Sequence, residues 1–321
     1  MRIMKIIIIL SLAFLSTALN NESCIAQGSA ESSDFKKQTY TFKKINRHEI
    51  KADVYARDTV NKRPVVVYFH GGGFIFGNRE IGLQPALRDM LLNHKCIIVS
   101  ADYRLAPETK IEQIFKDAED VYNWTINEGP KLFNADANKI IVMGTSAGGP
   151  LALHVGLKTP RPKSVVLISS SGDFSNMNLE RGDVSILKTS PEYSVVGQNE
   201  ISYGDRDKRL ALYSFLRDNK LWAYAVFGFD VSKQSKRFKD LLPINNLDAG
   251  YPPTLILHAK IDDDVPYSQA EVLDAAMSKM KIKHELHTAK EGHSSQLIIN
   301  NPDAVQRIGS FIDEQLNVSD N

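Results

Sequence analysis

A serine flanked by glycines stands between a predicted strand and a predicted helix, in the segment GTSAGG at residues 144–149. A strand, a sharp turn and a helix hold a serine hydroxyl at the carboxyl edge of a sheet, and glycines avoid the collisions that side chains would cause in so tight a turn. The helix also directs its amino end at developing negative charge. Ser146 is therefore the candidate nucleophile, although so short a pattern also arises by chance.

A second glycine-rich segment, HGGGF at residues 70–74, follows the predicted strand 65–69 and also lies at the carboxyl end of a strand. Its three glycines let bare backbone approach a ligand. Taken alone, the segment also fits a glycine-rich turn without a function. Beside Ser146, the amides of Gly72, Gly73 and Ala147 become candidate donors to the oxyanion of an acyl-transfer reaction.

A serine hydroxyl needs a base to take its proton, and the chain contains eight histidines. His293 lies in the segment EGHS at residues 291–294, after the last predicted strand and before the last predicted helix. Because this loop opens on the same carboxyl edge as Ser146, His293 is the candidate base. The other histidines lie in the glycine loop, early in the chain, on helical patterns or in strands, where core or surface roles are the default.

The base in turn needs a carboxylate to fix its tautomer and stabilise its charge. The loop after the predicted strand 254–258 offers Asp262, Asp263 and Asp264, and the order Ser, Asp, His along the chain is typical of hydrolases with this sheet. Spacing alone does not choose among the three carboxylates. A solvated acidic cluster is the alternative interpretation.

The elements that must position these residues follow from apolar periodicity. Short β-branched runs alternate with longer helical patterns, and the later runs are nearly continuous in apolar residues, as expected of parallel strands covered on both faces. The predicted strands are residues 40–45, 50–55, 65–69, 97–101, 140–144, 165–169, 254–258 and 283–288, and the main predicted helices are residues 110–128, 147–157, 266–280 and 302–316. The pattern predicts an α/β fold with a mostly parallel eight-stranded sheet and helices on both faces.

A long segment, residues 172–248, interrupts the alternation, since a simple crossover between strands needs far fewer residues. Its stretch 206–229 is rich in Leu, Tyr and Phe and contains Trp222, which fits helices that cover the sheet as a cap. A purely structural helix pair would have the same composition. We expect one domain over residues 38–321 with this inserted cap.

Charge and cysteine content exclude several classes of function. The 321 residues carry 39 Lys and Arg against 38 Asp and Glu, so a formal charge of +1 gives no reason to expect a nucleic acid or an anionic membrane surface as partner. Cys96 lies in an apolar run that predicts a buried strand. It is expected to be a small core residue and not a nucleophile.

The first 26 residues differ from the rest of the chain. Arg2 and Lys5 precede an apolar run at residues 6–15, which is shorter than the roughly 20 residues of a spanning helix and is followed by small and polar residues. This is the layout of a signal peptide, with cleavage after Ala26 and a flexible segment over residues 27–37. We therefore expect a periplasmic or secreted protein without a stable membrane span. A lipoprotein anchored through Cys24 is the competing interpretation.

Four segments together resemble the α/β-hydrolase superfamily, specifically the esterase group related to hormone-sensitive lipase. They are HGGGF at 70–74, YRLAPE at 103–108, GTSAGG at 144–149 and HAKIDDDVP at 258–266. The resemblance implies a serine esterase that acts through an acyl-enzyme on small or short-chain esters, without a metal or an organic cofactor. It identifies Asp262 as the aspartate that completes a catalytic triad with Ser146 and His293, and Asp264 is the reserve candidate. Thr145, where many relatives carry Asp, and Ala259, where Gly is usual, depart from the group.

Three other functions compete with a simple esterase. A carbohydrate esterase that removes acetyl or feruloyl groups is consistent with the predicted export. A peptidase of the prolyl-oligopeptidase kind resembles the chain at residues 258–266, but such enzymes usually carry a large propeller domain, for which the predicted layout leaves no room. A ligand-binding relative without catalysis uses the same fold, and the presence of His293 argues against it.

Overall fold

A computed structural model describes residues 35–57, 61–174, 177 and 179–317 of the protein, and its centre is one eight-stranded sheet. The strands are Lys36–Ile45 (β1), His48–Ala56 (β2), Arg63–Phe69 (β3), Ile97–Ala101 (β4), Ala135–Thr145 (β5), Ser164–Ile168 (β6), Thr254–Ile261 (β7) and His284–Glu291 (β8). Their order in the sheet is β1-β2-β4-β3-β5-β6-β7-β8. Strand β2 runs antiparallel to β1 and β4, and all pairs from β4 to β8 are parallel. The predicted mostly parallel eight-stranded sheet is confirmed.

Helices cover the two faces of the sheet and also occur in a long insertion. They are Pro85–Asn93 (α1), Ile111–Asn127 (α2), Gly129–Leu132 (α3), Gly148–Val155 (α4), Arg206–Asp218 (α5), Trp222–Phe227 (α6), Ser235–Leu241 (α7), Ser268–Lys279 (α8), Ser295–Asn300 (α9) and Pro302–Leu316 (α10). Three short 3₁₀ turns lie at Val184–Lys188, Tyr193–Val195 and Pro243–Asn246. No helix in these described ranges combines the length and the apolar character that a membrane crossing requires.

The core consists of two layers because successive side chains of a strand point to opposite faces. In β3, Val65 and Val67 pack with α2, α4 and α8, whereas Val66 and Tyr68 pack with α1, α9 and α10. Strands β3, β4 and β6 are apolar on both faces for this reason. The carboxyl ends of the central parallel strands thus open between two fixed helical layers.

The segment between β6 and β7 contains the predicted insertion, residues 172–248. Its helices α5 and α6 bury Leu212, Leu216 and Phe227 in the same apolar layer as α2 and α4. We refer to α5 and α6 as the cap. The cap contacts the glycine loop that follows β3, since Arg209 of α5 donates to the carbonyl of Ile75 at 2.9 Å.

Two features differ from the sequence prediction. Strand β1 begins at Lys36, inside the segment 27–37 that was predicted to be flexible, because the Lys37 ammonium pairs with Asp53 at 2.9 Å and with Glu80 at 3.0 Å. Helices α1 and α9 were not predicted, although Leu87 and Leu91 of α1 have helical spacing and are both buried. The predicted signal peptide, residues 1–26, lies outside the described residues.

Candidate active site

Ser146 lies in a sharp turn between β5, which ends at Thr145, and α4, which begins at Gly148. Its φ of 53° is left-handed, a conformation that residues other than glycine rarely adopt. The flanking glycines are needed at this turn. A Cβ on Gly144 would come within 2.0 Å of the carbonyl oxygen of Gly148, and a Cβ on Gly148 within 2.1 Å of that of Phe69.

The imidazole of His293 lies between Ser146 and Asp262. Its Nε2 is 3.0 Å from Ser146 Oγ, and its Nδ1 is 2.9 Å and 2.8 Å from the two carboxylate oxygens of Asp262. His293 lies after β8 and before the last helix, as predicted, and the short helix α9 follows it directly. Its neighbour is fixed because the Ser294 amide donates to Ser169 Oγ at 3.0 Å. The structure thus brings the predicted serine, histidine and aspartate into one hydrogen-bonded row.

Of the three adjacent aspartates, Asp262 is the one at His293 Nδ1. Its side chain is fully buried, and its Oδ1 accepts hydrogen bonds from the amides of Asp264 at 2.9 Å and Val265 at 2.8 Å. Burial alone would raise the pKa of this carboxyl, but hydrogen bonds from His258 and His293 outweigh it and lower the pKa to about 2. Asp262 therefore stays ionised wherever the histidine needs a negative partner.

Asp264, the reserve candidate, lies on the other side of the ring. Its Oδ2 is 3.5 Å from His293 Nε2, the nitrogen that faces Ser146. Its Oδ1 pairs with Arg217 and accepts from Tyr213 Oη at 3.3 Å. Asp264 therefore does not replace Asp262 at Nδ1. It is a second carboxylate on the reacting side of the histidine.

The glycine loop lies against Ser146. A Cβ on Gly71 would stand 3.1 Å from Ser146 Cβ, and Gly72 and Gly73 have positive φ values of 111° and 58°. Within the described part of the chain, the amides of Gly72, Gly73 and Ala147 donate to no backbone or side-chain acceptor. Gly73 and Ala147 line one cavity with Ser146, and Gly72 and Gly73 line a second. These amides are free to bind a ligand oxygen.

The cap holds this loop in place through two aromatic residues. Trp222 Nε1 donates to the carbonyl oxygen of Gly73 at 2.8 Å, and a Cβ on Gly73 would come within 2.2 Å of the Tyr213 ring. Neither contact was predicted, because Trp, Tyr and Leu residues in a cap helix indicate only apolar packing. The only signal was the concentration of large aromatic side chains in residues 206–229.

His70, the first residue of the loop, has a supporting position. Burial lowers the pKa of its imidazole to about 4, and the ring stacks on Tyr103 with centroids 4.2 Å apart. Tyr103 Oη in turn donates to the His70 carbonyl at 2.9 Å. His70 is therefore a neutral packing residue. Behind the serine, Thr145 Oγ1 accepts from Tyr68 Oη at 3.0 Å, a contact that suits threonine at this departure from the esterase pattern.

Two cavities meet at Ser146. One, of about 350 Å³, has an apolar wall of Phe174, Met177 and Trp222, after which we call it the apolar cavity, and its lining also includes Arg217, Asp218 and Lys220. The other, of about 330 Å³, includes His293 and Arg206 in its walls. A third cavity, of about 590 Å³, is also lined by His293, together with Glu291 and Gln296. A substrate centred on Ser146 can therefore extend in two directions.

Two reactive side chains outside this site, Cys96 and His154, are packed against other parts of the chain. Cys96 is buried, and burial raises the pKa of its thiol to about 12. No group of three or more His, Cys, Asp or Glu side chains in the described ranges is arranged to hold a metal ion. His154 stacks on Phe115 and pairs with Glu119 at 2.8 Å, away from Ser146.

Comparison with known proteins agrees with this architecture. A family model described as the alpha/beta hydrolase fold matches residues 66–294. Among solved structures, a hyperthermophilic esterase from the archaeon Pyrobaculum calidifontis is 25% identical with a TM-score of 0.62, covering 88% of this chain and 86% of that one. The predicted resemblance to this superfamily is confirmed.

Curated relatives match over shorter parts of their own length. A non-reducing polyketide synthase of Preussia isomera is 27% identical over 82% of this chain and 14% of its own length. A 3-O-acetylpapaveroxine carboxylesterase of Papaver somniferum is 37% identical over 31% of this chain and 36% of its own length. The chain thus spans little more than a third, or less, of these relatives.

Proposed function

We propose that this chain, which belongs to the α/β-hydrolase family, is a serine carboxylic-ester hydrolase whose reacting groups are Ser146, His293 and Asp262. The observation that carries the proposal is the continuous row from Ser146 Oγ to His293 Nε2 at 3.0 Å and from His293 Nδ1 to Asp262 at 2.8 Å. A nucleophile, a base and an orienting carboxylate within hydrogen-bond reach are the arrangement that acyl transfer needs.

In the first half of the reaction, Ser146 Oγ attacks the ester carbonyl carbon while His293 Nε2 accepts the hydroxyl proton. The carbonyl oxygen becomes an oxyanion, for which the amides of Gly72, Gly73 and Ala147 are the donors. His293 then gives the proton to the leaving alcohol, and the acyl group stays on Ser146.

In the second half, His293 Nε2 takes a proton from a water molecule that attacks the acyl-enzyme, and the acid leaves when Ser146 Oγ regains a proton. Asp262 accepts the Nδ1 hydrogen bond throughout and stabilises the imidazolium. Its pKa of about 2 keeps it ionised at every pH at which the histidine works.

Short acyl groups suit the apolar cavity beside Ser146. A volume of about 350 Å³ lies at the lower end of the range for small-molecule sites, and aromatic side chains of the cap form part of its wall. The name of the Papaver somniferum relative refers to an acetylated substrate, which supports small acyl esters for this chain as well.

We also propose that the protein is exported to the periplasm or secreted. The support is Arg2 and Lys5 ahead of the apolar run 6–15 and the small residues that follow it. N-terminal sequencing of the mature protein tests this, and a mature chain that starts with residue 1 would contradict it.

Ester hydrolysis by single variants tests the proposed chemistry. Ser146→Ala and His293→Ala should each lower kcat on a p-nitrophenyl acetate substrate by about 10⁴-fold or more, and the double variant should lose no more than either single variant, because the groups act as a unit. His287→Ala is the matched control, since His287 lies on β8 and, among the described residues, forms an ion pair only with Glu285, at 4.0 Å. Near-wild-type turnover by Ser146→Ala would contradict the assignment.

A further inference from the structure

The two carboxylate oxygens of Asp264 have different surroundings: the cap holds one of them, and the other faces the active site. Its Oδ1 pairs with Arg217 and accepts from Tyr213 Oη, and both partners belong to α5 of the cap. Arg217 also donates to Tyr213 Oη at 3.0 Å, so the two anchoring side chains support each other. The second oxygen, Oδ2, faces His293 Nε2 at 3.5 Å. The cap thereby fixes a carboxylate oxygen beside the atom that moves protons.

The position of His293 tells which cavity takes the alcohol part of an ester. His293 Nε2 must deliver a proton to the leaving oxygen, so the alcohol lies on the His293 side of Ser146. His293 is in the walls of the cavities of about 330 Å³ and 590 Å³, and it is not in the wall of the apolar cavity of about 350 Å³. The acyl group therefore occupies the apolar cavity, and the alcohol occupies the other two.

The alcohol side offers hydrogen-bonding groups. The cavity of about 590 Å³ is lined by Glu291, Gln296 and Asn300 near His293, whereas the acyl cavity combines Phe174, Met177 and Trp222 with the charged residues Arg217, Asp218 and Lys220. Asp264 borders all three of these cavities. It therefore lies at the junction between the acyl group and the alcohol of a bound ester. A polar alcohol would thus meet acceptors that a plain alkyl alcohol leaves without partners.

The leaving oxygen must come within about 3 Å of His293 Nε2 to be protonated. Asp264 Oδ2 lies 3.5 Å from the same nitrogen, so a hydroxyl on the carbon next to the ester-bearing carbon reaches it. The charge of Asp264 is already balanced by Arg217. A cationic group would bind best to a carboxylate whose charge is not already balanced. A neutral hydroxyl therefore fits this acceptor better.

From this geometry, and resting on the esterase function proposed above, we infer that Asp264 is a specificity-determining residue that accepts a hydrogen bond from a hydroxyl adjacent to the ester in the alcohol part. The preferred substrates are then short-chain monoesters of vicinal polyols, a class that includes acylated sugars and glycerol esters. The shared feature is the vicinal hydroxyl. The identity of the polyol follows from which member is hydrolysed fastest.

Two acetates that differ only at the recognised group test the inference. In 2-hydroxyethyl acetate a hydroxyl replaces the terminal methyl of propyl acetate. The wild-type protein should show a kcat/KM about tenfold higher for the hydroxylated ester, the effect expected of one hydrogen bond to a charged acceptor. Asp264→Leu should bring this ratio close to one, whatever change it makes in kcat/KM for propyl acetate itself.

Asp263→Leu is the matched control, because it makes the same change at the adjacent, exposed position, and it should keep the wild-type ratio. An unchanged ratio in Asp264→Leu, or an equal loss on both esters, would overturn the inference, since Asp264 would then only support the cap or His293. A preference for acetylcholine over both esters that disappears in Asp264→Leu would also overturn it in favour of a cationic alcohol.

The inference and the function proposed above fail in different ways. Turnover of both acetates that depends on Ser146 but shows no preference rejects the role of Asp264 and leaves the esterase intact. Absence of Ser146-dependent turnover on either acetate rejects both. Acetylxylose and glycerol monoacetate as further substrates then distinguish a sugar from a small polyol.

Discussion

Arg209 of the cap makes the contact whose removal we expect to cost the most stability. Its guanidinium binds both carboxylate oxygens of Glu108 at 2.9 Å and 3.0 Å and donates to the carbonyls of Ile75 and Ala106 at 2.9 Å and 2.7 Å. The side chains of Arg209 and Glu108 are 3% and 2% exposed. The pair joins α5 to the segment that follows β4, and the hydrogen bond to Ile75 joins α5 to the glycine loop that carries the oxyanion donors.

Arg209→Met removes the cation and keeps most of the side-chain volume. It leaves Glu108 charged and buried, with the Gly197 amide at 3.2 Å as a remaining donor, and two carbonyls lose their partner. Breaking a buried ion pair by removing one member costs about 3–5 kcal/mol. The free energy of unfolding should fall by about that amount, a large share of the 5–15 kcal/mol typical of a domain.

Urea denaturation followed by circular dichroism and by fluorescence measures this loss. The chain has two tryptophans, Trp222 in the cap and Trp124 in α2, so fluorescence also shows whether the cap separates first. Arg237→Met is the control, because Arg237 pairs with Glu112 at 3.1 Å while both side chains are about half exposed, and such pairs contribute 0–1 kcal/mol.

The double variant Arg209→Met/Glu108→Leu sharpens the test. If the cost of Arg209→Met comes from the uncompensated carboxylate, then removing that carboxylate should restore part of the lost stability. A loss below about 1 kcal/mol in Arg209→Met, or a loss no greater than in Arg237→Met, would refute the reasoning that this buried pair fastens the cap.

Three further outcomes follow from the site. Trp222→Phe should lower kcat about tenfold with little change in KM, because it removes the 2.8 Å hydrogen bond that fixes Gly73, and complete loss of one oxyanion donor costs about 10²–10³-fold; a change confined to KM would contradict this. Iodoacetamide at pH 8 should leave activity intact until the protein is unfolded, since burial raises the pKa of Cys96 to about 12. For Asp262 the folded pKa is lowered to about 2, so its stabilisation is complete above pH 4 and is lost as the pH falls towards 2. The stability difference between the wild type and Asp262→Asn, measured by urea denaturation at pH 5 and at pH 2.5, should therefore shrink at the lower pH, and an equal difference at both pH values would argue against it.

The sheet and the positions of Ser146 and His293 could be predicted because they depend on local patterns. Each strand is a short apolar run, and each of the two residues follows such a run directly at the carboxyl edge. The eight runs lie inside or at the ends of β1 to β8. Helix α1 was not predicted because only Leu87, Leu91 and Leu92 mark its buried side in a short, mixed sequence.

The parts of the site that depend on distant packing could not be predicted. Trp222 donates to a carbonyl 149 residues away, and no periodicity in α6 indicates that partner. The choice among Asp262, Asp263 and Asp264 depends on the path of the loop after β7, where two amides turn onto the Asp262 carboxylate. Likewise, His258 ended a predicted strand, and only the structure shows its Nε2 3.3 Å from Asp262.

The central claim is that Ser146 is a nucleophile activated by His293, and covalent labelling tests it most directly. A fluorophosphonate should add once to the folded protein with loss of fluoride, and mass spectrometry should place the adduct on the tryptic peptide 140–158, which contains Ser146. Ser146→Ala should take up no label, and His293→Ala should react far more slowly. An adduct on another residue, or no adduct on the folded wild-type protein, would contradict the account.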